Sequence, residues 1–130
     1  MEMKFKLALA VLAGVLIGAT SIVSLSAQGV SQAKVPGYII AEVEVTDPEG
    51  YKTYQEAAAP ALAATGARFL VRGGKTIAFD GEPPKRIIVL AFDSIEKALE
   101  YRNSTAYKKA VAIRDKSSKF RLFAAEGVAP

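Results

Sequence analysis

RIIVLAFD, residues 86–93, is the stretch whose reading decides the fold. Six apolar residues run unbroken from Ile87 to Phe92, too few for a stable helix and rich in β-branched types. A strand with one face in water alternates apolar and polar residues, whereas a strand covered on both faces reads as a continuous apolar run. Helices of the same chain can cover one face. A chain of 130 residues has little left for the other, so the second cover is expected to be another copy of the chain.

Upstream, Tyr38 to Val45 (YIIAEVEV) sets Ile39, Ala41, Val43 and Val45 on one side and Tyr38, Ile40, Glu42 and Glu44 on the other. That period of two predicts a strand with one mixed, partly covered face. Thr46-Asp47-Pro48-Glu49 predicts a helix start, with Asp47 as cap, Pro48 at the first helical position and Glu49 at the positive end of the dipole. The helix should run to about Thr65 and stop at Gly66, with a kink or break at Pro60, which cannot donate to the Glu56 carbonyl. Ala67 to Arg72 predicts a second strand. The pair Gly73-Gly74 reads as a hairpin turn or as a bulge bending one long strand on through Lys75 to Asp80 (KTIAFD).

Downstream of the central run, Ser94 should cap a helix over Ile95 to Arg102, interrupted at Asn103-Ser104-Thr105 and resumed from Ala106 to about Lys116. Lys119 to Glu126 alternates again and closes the sheet. The order βαββαβ predicts an α+β fold, a ferredoxin-like antiparallel sheet with its helices on one face. The open face is where the second copy is required.

The first 33 residues read differently. Lys4 and Lys6 precede the uncharged stretch Leu7 to Ala33, whose apolar centre is Leu7 to Ile17, and Ser31-Gln32-Ala33 offers small residues at both recognition positions of a cleavage site. Ser24-Leu25-Ser26 is a second such site. This predicts a signal peptide over 1–33, export to the periplasm or beyond, and a single domain over 34–130. The competing reading is an uncleaved anchor over residues 7–23, long enough to span a membrane, with Gly14 and Gly18 at the spacing of packed membrane helices. Without Lys4, Lys6 and Glu2 the formal charge falls from +4 to an ordinary +3. The basic cluster from Lys108 to Arg121 has few interleaved aromatics and reads as a solvated helix face, not a nucleic-acid surface. With neither Cys nor His in the chain, Cys or His nucleophiles, a His general base and ordinary zinc or copper sites are excluded. No metal and no cofactor is expected.

Four segments in order carry a resemblance: VTDPEGYKTY at 45–54, FLVRGG at 69–74, PKRIIVLAF at 84–92 and YRNSTAYKKAVAIR at 101–114. Over about Gly37 to Val128 the chain resembles the domain-of-unknown-function 1330 family. The resemblance implies the dimeric α+β barrel, in which two ferredoxin-like sheets pack face to face as a homodimer. It implies no reaction, because the family carries no established activity. The leader is a departure from the many members that look like small cytoplasmic proteins.

Five side chains are candidates for a ligand site at one mouth of the barrel. Tyr51 and Tyr54, at i and i+3, project together from the first helix onto the sheet, although filling core is the commoner role for such rings. Arg72 stands at a strand end beside two glycines, where a salt bridge to Asp80 or Glu82 is the ordinary alternative. Arg86 begins the neighbouring antiparallel strand, so the two arginines should come together. Arg114 follows Tyr107, Ala110 and Val111 at helical spacings, with Asp47 or Glu42 as expected partners if its head is buried. Tyr101 and Tyr107 read as core. Several arginines and no histidine point to a small organic anion as ligand. Three functions compete: an exported homodimer that binds such an anion, a cofactor-free oxygenase or isomerase of the dimeric barrel type, and a structural or interaction protein.

Overall fold

The structure, a computed structural model, describes residues 33–130. The expected leader and the alternative anchor lie outside the described residues, Ala33 excepted. Among the described residues no helix is long and apolar enough to cross a membrane.

The elements are β1 (Gly37–Val45), α1 (Pro48–Ala64), β2 (Arg68–Arg72), β3 (Arg86–Phe92), α2 (Ile95–Asn103), α3 (Thr105–Ser117) and β4 (Ser118–Glu126). The four strands form one antiparallel sheet in the order β2-β3-β1-β4. This is the ferredoxin-like arrangement expected from the sequence, with β1 and β3 central. On the helix side Ile39, Ala41 and Val43 of β1 lie with Ile88, Leu90 and Phe92 of β3, all buried.

Local chemistry explains most boundaries and corrects three expectations. Asp47 occupies the cap position of α1, but its side chain makes no capping bond. The backbone does the anchoring, since the Thr46 and Asp47 amides both donate to the Ser117 carbonyl at 2.9 and 3.0 Å and tie the start of α1 to the end of α3. Pro60 does not break α1, which runs through it to Ala64. Lys75–Asp80 is not a strand. Gly73 turns the chain at φ 66° and donates its amide to the Ile87 carbonyl at 2.8 Å, which ends the β2–β3 ladder. The bulge falls earlier, between Phe69 and Val71, and the released segment carries exposed Ile77 and Phe79. The interruption at Ser104 is real: its hydroxyl donates to the Tyr101 carbonyl at 2.8 Å and accepts from the Tyr107 amide at 3.2 Å. One residue thus closes α2 and caps α3.

The two layers are not uniformly close. α2 lies near β1 and β3, whereas α1 packs chiefly against α3 and stands off from the sheet. Among the described residues no element covers the other sheet face. Val71, Val89, Ile40 and Phe123 are register neighbours across all four strands and form an apolar row there. Tyr38, Ala91 and Ala125 extend it. Towards the opposite end the same face is ionic, with Glu42 paired to Arg121 at 3.2 Å and Glu44 to Lys85 at 2.9 Å.

Candidate functional site

Because α1 stands off, a cavity of about 290 Å³ remains between it and the sheet, close to the small end of ligand-pocket volumes. Ile39, Ala41, Ile88, Leu90 and Leu122 form the sheet-side wall. On α1 the wall is Tyr51, Tyr54, Gln55, Leu62 and a run of alanines, Ala58, Ala59 and Ala63. The alanines have nothing beyond Cβ to fill the gap. Where α1 passes the edge strand β2, Ala59, Ala63, Phe69 and Arg72 line the cavity and are also exposed to solvent, which marks the entrance.

The far end is aromatic and polar together. Tyr101 and Tyr107 lie with ring centroids 4.7 Å apart, and Tyr101 rests on Phe92 at 5.7 Å. Tyr51 and Tyr54 meet at 5.7 Å, and both contact Phe120. Behind Tyr107 and Phe120 sits buried Arg114, its guanidinium carbon 5.0 Å from the Phe120 ring. Its Nη1 donates to the Tyr107 hydroxyl at 3.0 Å, while Nε and Nη2 donate to Asp115 Oδ1 at 2.9 and 2.8 Å. Neither expected partner is used: Arg114 takes the adjacent Asp115, and Glu42 pairs with Arg121. A neighbour on the same helix reaches the guanidinium without crossing the core.

At the entrance end Arg72 lies with its guanidinium carbon 4.4 Å from the Phe69 ring. No carboxylate among the described residues pairs with it, so the bridge to Asp80 or Glu82 is not formed. Arg86 packs its guanidinium against Gly73, where any Cβ would collide with it, and lies 5.6 Å from the Tyr51 ring. Arg86 Nε is a buried donor with no partner, the one such side-chain atom among the described residues. Unsatisfied buried donors are costly and rare.

The phenols are held neutral. Burial raises Tyr51 above the usual phenol range, with Arg86 and Arg72 drawing it part of the way back. Tyr54 and Tyr101 are driven well above that range, first by burial and then by the neighbouring Tyr107 hydroxyl. Burial weakens the Arg114 charge, but Asp115 and Tyr107 outweigh it and raise its pKa. At neutral pH Tyr51, Tyr54 and Tyr101 therefore offer the cavity hydroxyls, and Arg72 offers it guanidinium donors.

Of the five sequence candidates, Tyr51, Tyr54 and Arg72 line the cavity. Arg86 stands behind Tyr51, and Arg114 behind Tyr107. Tyr101 and Tyr107, read from sequence as core, line it too. The seven-residue spacing from Tyr107 to Arg114 was the signal for one of them; the turn at Ser104 that brings Tyr101 onto Tyr107 left no comparable trace.

No protein of curated function matches the chain. Solved structures do resemble it. A protein of unknown function from Rhodopseudomonas palustris matches with a TM-score of 0.59 at 18% identity, over 75% of this chain and 85% of that one. A hypothetical protein from Arabidopsis thaliana matches with a TM-score of 0.50 at 15% identity, over 75% and 91%. A dimeric ferredoxin-like protein of unknown function from Thermobifida fusca matches at a TM-score of 0.46 and 17% identity, over 70% and 92%. At such identities the likeness is one of fold. Sequence is more specific: residues 36–128, from the approach to β1 to just past β4, match the family described as Domain of unknown function (DUF1330), and the chain belongs to that family.

Proposed function

We propose that the protein is an exported, non-catalytic homodimer that binds a small organic anion in the cavity between α1 and the sheet. The observation that carries the anion is Arg72, which lines the cavity entrance and has no carboxylate partner among the described residues. A ligand carboxylate pairs with the Arg72 guanidinium there, and Arg86, behind Tyr51, adds a second positive charge to that end. The apolar walls suit a ligand with an aromatic or alicyclic body. The apolar row on the open sheet face supports the homodimer, and the leader pattern supports export.

Binding is tested with benzoate in titration calorimetry. Replacing Arg72 with Met keeps much of the stem and deletes the charge. Its affinity for benzoate should fall about 10- to 100-fold, the worth of hydrogen bonds to a charged group. An unchanged affinity removes the anion from Arg72. Turnover of the bound acid, seen as a new absorbance or as dioxygen uptake, would instead place the protein among cofactor-free oxygenases or isomerases.

Export has its own test. Sequencing the amino terminus of the protein recovered from a bacterial periplasm should place it between Ala27 and Lys34. Membrane-bound protein that retains Met1 to Lys6 would establish the anchor instead.

A further inference from the structure

The charge in the cavity wall sits at one end of a row laid out by the sheet. Residues three apart in a regular strand face opposite sides. The bulge between Phe69 and Val71 adds a residue to β2, so Phe69 and Arg72 both pair with residues of the helix side, Leu90 and Ile88. Arg72 is thereby turned onto the cavity face. From it the register runs through Ile88 and Ala41 to Leu122, straight across all four strands, and all four residues line the cavity. Three steps between neighbouring strands make that row about 14 Å long. Among the described residues that line the cavity, Arg72 is the one Lys, Arg, Asp or Glu. Arg114 offers no second charge to it, because Nη1 is committed to Tyr107, and Nε and Nη2 to Asp115. A charged group seated beyond Ile88 would meet walls with no charge to pair it, and an isolated buried charge is severely unfavourable.

We propose that the cavity selects monocarboxylic acids with an elongated, uncharged body, seated across the strands. The carboxylate lies at Arg72, the body over Ile88 and Ala41, and the far end at Leu122. This rests on the anion reading above and deepens it, naming the ligand class and its direction. The carboxylate stays at the exposed entrance, where it keeps part of its hydration, while the body leaves water along an apolar floor. A dicarboxylic acid has to strand its second charge inside. Arg72 and Leu122 set the two limits, one for charge and one for length.

Two acids that differ only at the far end test this by titration calorimetry on the full chain. 4-Butylbenzoate ends in a methyl group, and 4-(3-carboxypropyl)benzoate ends in a carboxylate at the same place. At neutral pH the diacid should bind at least about 100-fold more weakly, even though either of its carboxylates can reach Arg72. Against benzoate, the butyl chain should gain up to about fourfold for each methylene group it buries. Leu122→Phe closes the end of the row and should shrink that gain, with circular dichroism to confirm the fold. A merely structural effect would weaken benzoate and 4-butylbenzoate alike, and such an unchanged ratio overturns the seating along the row. A diacid that binds as tightly as the monoacid overturns the selection. In both cases the anion reading stands. Failure of benzoate and 4-butylbenzoate alike to bind the parent chain overturns that reading and the selection with it.

Discussion

Phe92→Ala is expected to lower the free energy of unfolding by about 3–5 kcal/mol, against a total of only about 5–15 kcal/mol for a domain of ordinary stability. Phe92 is 2% exposed and carries the Tyr101 ring at 5.7 Å. It also lies where the chain cannot collapse to fill a hole. Its register partner is Gly37, and a Cβ there would stand 2.5 Å from the Ile95 backbone, so α2 already sits as close to β1 as glycine permits. Urea unfolding should show a lower midpoint with an unchanged slope. A loss below about 1 kcal/mol would mean that this end of the core repacks freely, and Phe92 would not be its anchor.

Ile40→Lys is expected to separate the proposed homodimer without unfolding the subunit. Ile40 is central in the open-face row, between Val89 and Phe123. A lysine buried there in a sheet-to-sheet seam has no partner and costs several kcal/mol, about a thousandfold or more in the dissociation constant. The helix-side core is untouched, since Ile39 and Ala41 point the other way. Light scattering at micromolar concentration should find the parent chain dimeric and the variant monomeric, with matching circular dichroism. A monomeric parent chain would refute the assembly. A dimeric Ile40→Lys would move the interface to another surface.

The fold was legible because its decisive signals are collective. The unbroken apolar run from Ile87 to Phe92 and the alternation from Tyr38 to Val45 identify the two central strands, and burial enforces both patterns over many residues. Signals that depend on a single residue fared worse. Asp47 is at the cap position but bonds through its backbone, and Pro60 is absorbed by a helix held along its length by α3. KTIAFD alternates like a strand, yet Gly73 turns away from the sheet before it and no strand pairs with it. Propensity proposes a strand; a partner has to accept it.

The site was legible in part. Tyr51, Tyr54 and the approach of Arg72 to Arg86 follow from helical spacing and antiparallel pairing, both local rules. The cavity itself is not local. It depends on how far α1 stands from the sheet, which α3 sets through a contact between residues far apart in sequence. Tyr101 and Tyr107 gain their place from that gap, and no spacing rule announces it. The partner of Arg114 was missed for the opposite reason: Asp115 is its immediate neighbour, and a search across the fold passed over it.

Tyr51, Tyr54 and Tyr101 keep their protons throughout the neutral range. The chain has no histidine, burial keeps the phenols of Tyr51, Tyr54 and Tyr101 protonated, and a guanidinium does not give up its proton. For the exported protein proposed above, that constancy has a consequence, because the surroundings of the cell are not buffered as its interior is. Acidification or mild alkalinity alters the ligand's own ionisation and leaves the receiving surface as it was. Any pH dependence of loading then comes from the ligand's own ionisation, and not from the phenols that receive it.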